Sequence, residues 1–467
     1  MNYNVILDTD SYKLSHYKQY PFQTGYVSSY VESRGGKFDK VLFAGLQILL
    51  KNLEANPITM AMVDEAQEIV EAHGLPFHRK GWLHIVEKHD GRLPLLIEAV
   101  PEGTLVDTKN VLVQIRNTDP AVPWLTSYME TAVLRAVWYP TTVATMSFET
   151  LRVIREHHEE TVGNLDAIPF ALHDFGSRGV SSRESAGIGG LAHLFNSMGT
   201  DTVEALLFAR RYYGADMAGF SVPASEHSTA TSWGRERETE YARHMLTAFE
   251  QPIISVVSDS YDVYHMTQHV WGKLNPEVAR SGKKIVIRPD SGDPVMMLRN
   301  LFRTLELCVG YDLNDKGYKV LPPHFGVIQG DGVNNISVRE ILDMLKTEGW
   351  AANNIVFGMG GALLQQLDRD TQKFAMKASA IIPNEDQSPY VAENWTPIQK
   401  CPVTDSGKVS KTGILILTKS GDSFQTLQVN DITHAPFVNC LKTVFEDGRV
   451  VIDQSLDEIR GRVRTYY

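Results

Sequence analysis

The sequence predicts an α/β fold: a central α/β barrel together with a second, β-rich domain to which both chain ends contribute. Three observations lead there. First, four segments share one grammar, in which an apolar, β-branched run stops abruptly at Gly, Asp, Arg or Ser: IISVVSDSYD (253–262), KIVIRPDSGDP (284–294), FGVIQGDGV (325–333) and NIVFGMGGALLQ (354–365). Short apolar runs bounded by turn residues read as buried parallel strands, because a parallel sheet is covered on both faces. Second, helical patterns separate these runs, the signature of β/α units. Third, the last part of the chain returns to β patterns: TGILILTK, FQTLQVN and LKTVFEDGRVVID, the last with an Asp-Gly hairpin signal.

The elements follow in order. NVILDTDSYK reads as a short strand entering a polar turn, and GYVSSYVESRG alternates as a half-buried strand would. VLFAGLQILLKNLEA and MVDEAQEIVEAHG have helical spacing. RLPLLIEAVPEGTLV and NVLVQIRNTDP read as a β-meander with Pro and Gly turns. PWLTSYMETAVLRAVW and TTVATMSFETLRVIREHHEE read as two helices parted at Tyr139-Pro140, since proline lacks the N–H that a helix interior needs. The expected division is 1–165 for the N-terminal part of the β-rich, dimerising domain, 166–377 for the catalytic barrel, and 378–467 for the C-terminal part of the β-rich domain. A length of 467 residues fits two such bodies, because an α/β barrel takes roughly 200–250 residues as one unit.

Bulk chemistry narrows the function. A formal charge of −11 and a pI near 5.8 weigh against binding to nucleic acid or an anionic membrane, both of which need basic surface. Cys308, Cys401 and Cys440 are odd in number and far apart, with no CxxC pair. That fits a reducing, cytoplasmic setting and gives neither a disulfide framework nor a cysteine metal site. The N-terminal residues do not have the pattern of a signal peptide, and no run approaches 18 uninterrupted apolar residues.

In barrel and open α/β folds, ligand groups sit at the carboxyl ends of the strands. The four runs therefore aim Arg288, Asp290, Gly330, Asp331, Gly360 and Gly361 at one mouth. Arg288 offers a planar, permanently charged fork suited to phosphate or pyrophosphate, and Asp290 could reach Mg²⁺ or a sugar hydroxyl. The bland alternative is a buried Arg–Asp pair at a strand end. Gly360-Gly361 and Gly330-Asp331-Gly332 could let backbone approach an oxyanion or ribose, or could simply be tight turns. In HDFGSRGVSS, Phe175 and Arg178 join an aromatic face to a guanidinium, as a flat ring beside an anion would require; a core Phe with a surface Arg is the alternative. SVPASEHST places Glu226-His227 after another expected strand, where a small-residue turn leaves the imidazole accessible. Asp201 in GTDT reads by default as part of a helix cap. His157-His158-Glu159-Glu160 reads as a solvated helix face. His73, His78, His84 and His89 lack the spacing of a linear metal motif, and Gly187-Ile188-Gly189-Gly190 lacks the preceding strand of a dinucleotide fingerprint.

Taken in order, TDSYKLSHYKQYP, LHDFGSRGVSS, GTDTVEAL, SVPASEHST, SVVSDSYD, IRPDSGDP, VIQGDGV and FGMGGALLQ resemble the nicotinate/nicotinamide phosphoribosyltransferase family, on its nicotinamide-using side, over nearly the whole chain. The acidic-pair PRPP loop of the other major phosphoribosyltransferase fold is not found. The resemblance implies the type II phosphoribosyltransferase barrel and a homodimer. It implies transfer of phosphoribosyl from PRPP to nicotinamide, giving nicotinamide mononucleotide and pyrophosphate, with Mg²⁺ as cofactor and ATP as co-substrate. The implied stacking pair is Phe175 and Tyr12, the latter from the partner subunit. Asp201 is implied as the acid that recognises the carboxamide. Arg178, His227, Arg288 and Arg369 are implied as phosphate and pyrophosphate ligands, with Gly330-Asp331 and Gly360-Gly361 at the phosphoribosyl group and Lys377 near the phosphates. Asp290 falls near the ribose and the reacting nitrogen, and a Mg²⁺ held mainly through PRPP could meet it. His227 matches the histidine phosphorylated by ATP, with Glu226 and Asp259 as its orienters. Asp10 and Ser255 fall within matched motifs as further substrate-binding positions. Departures from the family pattern stand at Ser177, Gly326, Ala362 and Ala375. Competing readings are the nicotinate-using analogue, a barrel aldolase or isomerase acting on a sugar phosphate, and a non-catalytic binding protein.

Overall fold

In the computed structural model, which describes residues 3–404, 408–431 and 438–467, the chain divides into two compact units. One unit comprises Met1–Thr145, Tyr212–Gly214 and Asp368–Tyr466; the other comprises Met146–Arg211, Ala215–Leu367 and Tyr467.

The first unit is built on a seven-stranded sheet in the order Thr396–Pro397, Phe374–Ile382, Tyr26–Ser33, Val111–Asn117, Leu95–Ala99, Lys442–Glu446, Arg449–Val450, and the pairs described in it are antiparallel. Both chain ends supply strands, as expected of the β-rich domain. Asp447 (φ 47°) and Gly448 (φ 79°) form the two-residue turn that joins Glu446 to its partner Arg449, so the Asp-Gly signal marks a real hairpin.

Several readings change. The expected N-terminal strand is instead a pair of 3₁₀ turns, Val5–Leu7 and Ser11–Lys18. Tyr26–Ser33 is buried along its whole length rather than on one face, because it lies inside the sheet between Phe374–Ile382 and Val111–Asn117. Its polar residues are accommodated by partners: Glu32, for example, takes both Arg34 and Lys411. In the expected meander, Leu95–Ala99 pairs directly with Val111–Asn117, while the intervening Leu105–Asp107 pairs with Lys40–Leu42.

The two expected helices are one helix, Glu130–Thr161, that runs through Pro140. A Cβ on Gly45 (φ +93°) would lie 2.2 Å from Pro140 Cγ and 3.0 Å from the Ala136 carbonyl oxygen. The glycine therefore makes room both for the proline ring and for the carbonyl that loses its helical donor. Thr142 and Thr145 hydroxyls donate back to the Trp138 and Thr141 carbonyls, and Thr141 exchanges hydrogen bonds with Ala44. Tertiary contacts thus carry the helix across a residue that would otherwise end it.

The second unit contains a parallel six-stranded sheet. Its strands in chain order are β1 (Leu172–Asp174), β2 (Gly199–Thr200), β3 (Ile253–Val257), β4 (Lys284–Arg288), β5 (Phe325–Gln329) and β6 (Ile355–Met359). The spatial order is β2-β1-β6-β5-β4-β3, with parallel registers throughout. The two edges are joined by residues 220–225. Phe220 bridges Gly199 and Ala224 bridges Ser255, both in parallel. Thr200 N donates to Phe220 O, Phe220 N to Met198 O, Ser225 N to Ser255 O and Ser255 N to Pro223 O. The result is a closed ring of seven staves in chain order, the predicted barrel. Ile254, Val256, Ile285, Ile287, Val327, Phe357 and Met359 are essentially fully buried, as strands covered on both faces require.

His157 and His158 are buried, not solvated. His157 Nδ1 contacts the Val153 carbonyl and Nε2 meets Asp343 Oδ1 at 2.9 Å, while Glu159 and Glu160 are exposed as expected. The run 187–190 lies inside the helix Arg183–His193, where a Cβ on Gly187 would strike the Phe208 ring and one on Gly190 would crowd Ala205 and Asp174. These glycines serve close packing.

Candidate active site

Because every stave runs the same way, all the strand ends open on one rim. At the end of β1, Asp174 Oδ1 accepts the Gly176 N–H at 2.7 Å, and Phe175 N donates to Met359 O at 2.9 Å. Two glycines then set the Phe175 ring. A Cβ on Gly358 would fall 2.0 Å from Phe175 Cε2, and one on Gly330 3.2 Å from the same atom. The ring lies against bare backbone of β6 and the β5 end, half-buried, and Asp290 Oδ1 is 3.8 Å from the same Gly330 Cβ position. Thus Phe175, Gly330 and Asp290, three predicted site residues from three strand ends, are neighbours.

The following turn, Ser177–Gly179, carries Arg178 exposed. It packs on the β6 loop: a Cβ on Gly179 would lie 3.5 Å from Gly361 Cα, and one on Gly176 would lie 3.0 Å from the Gly360 carbonyl oxygen. Gly360 and Gly361 therefore flank Arg178.

Beyond β2, Asp201 is exposed; its N–H is tied to Asp174 O at 2.9 Å and its Oδ1 accepts the Ser221 hydroxyl at 2.6 Å. Ser221 belongs to the closing stave, so ring closure fixes the carboxylate. Asp174 beneath it is buried, and burial pushes its carboxyl up to about 6 against the opposing pull of Thr202 and the Gly176 N–H. Burial likewise lowers the basicity of His173, with Asp201 partly opposing.

The closing stave leads straight into Glu226 and His227. His227 Nε2 donates to Asp259 Oδ1 at 2.9 Å, and Nδ1 lies 3.9 Å from Asp290 Oδ2. Asp259 Oδ2 accepts the Asp290 N–H at 2.9 Å and the Ser291 hydroxyl at 2.6 Å. Burial works to raise the Asp259 carboxyl, but the Ser291 hydroxyl, the His227 ring and the Asp290 N–H outweigh it and hold it below the ordinary range. Glu226 sits elsewhere in this local structure: it caps the short helix His227–Thr231, where its N–H meets the Thr229 hydroxyl and its carboxylate takes the Ser228 hydroxyl. Ser255 lies within β3 at the barrel seam and is buried.

Arg288 ends β4 half-buried, and its Nε is buried with no hydrogen-bond partner among the described residues. A buried guanidinium N–H without an acceptor is costly, and an anionic ligand is the natural remedy. Asp331 is exposed just past β5, its carbonyl held by the Gln329 amide at 2.7 Å. A cavity of about 490 Å³ opens beside Asp259 and Ser291, lined also by Tyr261, Asp262, Gly292 and Asp293.

Four predicted site residues belong to the first unit. Asp10 pairs with Thr131, whose hydroxyl donates to Oδ2 at 2.5 Å. Tyr12 is 58% exposed, edge-on to His16 with ring centroids 5.0 Å apart. Arg369 is exposed beside Asp370. Lys377 is not at a barrel strand end: it lies within Phe374–Ile382 of the antiparallel sheet, its ammonium on the Met376 carbonyl and its basicity lowered by burial.

Sequence reasoning missed Ser221, Asp174 and Gly358. All three stood inside quoted motifs, but the Ser221–Asp201 contact joins residues 20 apart with no spacing signal. It also missed Lys284. Gly326 lies on β5, and Lys284 Cε would be 2.9 Å from a Cβ there, so any side chain at 326 would meet the lysine that reaches across from β4.

Comparisons with known proteins place this geometry. The chain matches the nicotinate phosphoribosyltransferase (NAPRTase) family model over residues 170–449 and the model of the nicotinamide phosphoribosyltransferase N-terminal domain over 4–97. It is 48% identical to the nicotinamide phosphoribosyltransferase of Xanthomonas campestris pv. campestris, covering 98% of this chain and 97% of the relative. It is 32% identical to that of Acinetobacter baylyi at the same coverage of each chain, 98% and 97%. Its fold resembles the crystal structure of nicotinate-nucleotide pyrophosphorylase from Pyrococcus furiosus, with a TM-score of 0.63, 16% identity and coverage of 99% and 95%. The fold and these relatives define a type II phosphoribosyltransferase, a pentosyltransferase. Within that class, the chain belongs to the nicotinate phosphoribosyltransferase family.

Proposed function

We propose that this enzyme transfers the phosphoribosyl group of PRPP to nicotinamide, forming nicotinamide mononucleotide and pyrophosphate for NAD salvage. The observation that carries this reading is the meeting of Phe175, Gly330 and Asp290 on one rim beside a buried arginine nitrogen without an acceptor among the described residues.

The pyridine ring stacks on Phe175, a contribution of roughly 0.5–1.5 kcal/mol beyond area burial, which also aligns its nitrogen. Asp201, held by Ser221, accepts the carboxamide N–H and repels the carboxylate of nicotinate. The ring nitrogen attacks C1 of PRPP as the bond to pyrophosphate breaks, so positive charge grows on the sugar carbon and negative charge on the leaving group. Arg288 and Arg178 neutralise the leaving group, and removing one such preorganised contact typically costs about 10²–10³ in rate. Asp290 faces the sugar. Its carboxylate and the substrate's phosphates are an oxygen donor set suited to Mg²⁺, which would supply charge neutralisation. His227, oriented by Asp259, is the acceptor of a phosphoryl group from ATP; the added charge beside the pyrophosphate site changes substrate affinity. A homodimer, in which Tyr12 of the partner subunit supplies the second stacking face, and a cytoplasmic location complete the reading. No helix among the described residues is long and apolar enough to cross a membrane.

The test is product formation from PRPP and Mg²⁺ with nicotinamide and nicotinate offered separately, each with and without ATP. Nicotinamide mononucleotide alone, with ATP stimulation, is expected. Nicotinate mononucleotide alone would overturn the substrate assignment, and an ATP-independent rate with no ³²P on His227 would overturn the phosphohistidine.

A further inference from the structure

His84 and His89 lack the spacing of a linear metal motif, but the fold of the first unit brings them to one point with Asp119. His84 lies on the helix Arg79–Lys88, and His89 is its C-cap. Asp119 follows the strand Val111–Asn117. His84 Nε2 lies 2.7 Å, and His89 Nε2 2.6 Å, from the same carboxylate oxygen, Asp119 Oδ2. One donor atom from each of the three residues lies within 4.8 Å of the others. The two rings approach at 59° with centroids 5.8 Å apart, so it is their nitrogen edges, not their faces, that converge.

The scaffold around them is firm. Trp82 and Ile85 anchor the helix in the core, at 1% and 0% exposure. The Ile85 carbonyl accepts from both His89 N and Gly91 N, and His89 O accepts from Arg92 N. On the other side, Asn117 Nδ2 donates to Asp119 O at 2.8 Å, and Asp119 Oδ1 accepts the Ala121 N–H at 2.8 Å. Oδ1 is thereby committed to the loop, leaving Oδ2 to the histidines. The three side chains keep 17–31% of their surface, enough for a water to reach the point of convergence.

We propose that His84, His89 and Asp119 bind a divalent transition-metal ion, zinc by donor preference. Two imidazoles and one carboxylate are a known zinc donor set, with a fourth position left for water. A tetrahedral ion with bonds of roughly 2.0–2.1 Å holds its donors about 3.3 Å apart, so the nitrogens need to move from Asp119 Oδ2 by only about 0.6 Å. The site belongs to the first unit and rests on none of the proposed chemistry.

The test is titration of chelator-stripped full-length protein with Zn²⁺ and, separately, with Co²⁺. Wild type is expected to bind one equivalent, to give the visible absorption of tetrahedral Co²⁺, and to gain roughly 4 °C in Tm at saturating Zn²⁺. His84→Ala/His89→Ala should lose the band and the Tm gain while keeping transferase activity within about twofold, and His227→Ala should keep both metal signals. Asp119→Asn, which retains the Oδ1 acceptor of the loop, serves if the double variant fails to fold, and it should weaken binding by about tenfold or more. Equal metal binding by wild type, the double variant and Asp119→Asn, or no saturable binding by wild type, would overturn the proposal.

Discussion

The His227 imidazole and the Asp259 carboxylate meet across the ends of the closing stave and its neighbour β3, Nε2 to Oδ1 at 2.9 Å, while the other Asp259 oxygen grips the first residues of the β4 loop. One carboxylate therefore ties the histidine to the loop that carries Asp290.

Asp259→Asn keeps the size of the side chain and removes its charge. The ATP-stimulated rate should fall by on the order of 10²-fold, with a smaller loss without ATP. Steady-state kinetics with and without ATP check this, and equal losses in both would remove Asp259 from the phosphoryl step. The linkage has a definite sign. A carboxyl held below its ordinary value stabilises the fold above pH ~4 and loses that contribution as pH falls through its folded value, so the Asp259→Asn variant should flatten the acid limb of the stability profile.

Asp201→Asn should lower the nicotinamide-to-nicotinate ratio of kcat/KM by roughly tenfold or more, because the like charge proposed to reject nicotinate is gone. Competition between the two substrates in one vessel reads this directly. An unchanged ratio would take Asp201 out of ring recognition.

Gly358→Ala drives a methyl group to within 2.0 Å of Phe175, so the ring must leave its seat. The KM for the pyridine substrate should rise about tenfold with little change for PRPP, and stability should drop by roughly 1–3 kcal/mol from overpacking. Phe175→Leu in the same background, by making room for the methyl, should restore stability but not KM.

Asp174 has the opposite linkage. Its carboxyl is raised to about 6, so the folded protein binds a proton there more tightly than the unfolded chain, and stability falls as pH climbs from about 4 to 6. Asp174→Asn keeps an oxygen that can accept the Gly176 N–H and removes the charge. The variant should therefore equal or exceed wild type above pH 6, by on the order of 1–3 kcal/mol, with the advantage fading toward pH 4. Denaturant midpoints at pH 4.5 and 7.5 measure it.

The barrel was legible because its strands are short apolar runs that end in polar turns, and the rim followed from strand direction alone. Arg288, Asp290 and Gly330 were readable for that reason. The ring's seventh stave was legible only as a strand ahead of Glu226-His227; that Phe220–Ser225 closes the ring is revealed by its hydrogen bonds to β2 and β3. Pro140 misled because a helix's tolerance of proline depends on a distant glycine, Gly45. His157 and His158 misled because two charged neighbours, Glu159 and Glu160, made the stretch look solvated. The convergence of His84, His89 and Asp119 joins a helix end to a loop some 30 residues away, which no local pattern encodes.

The closing stave also bears on how the enzyme matures. Its last residue, Ser225, is two positions before His227, and its hydroxyl accepts both the Val257 N–H and the Tyr241 O–H. The stave that closes the ring is thus continuous with the segment that carries His227 to Asp259. A barrel lacking the stave's contacts to β2 and β3 would leave His227 without a fixed path to Asp259. Assembly and orientation would then be coupled: on the proposed function, a half-assembled barrel would have no oriented histidine to receive a phosphoryl group.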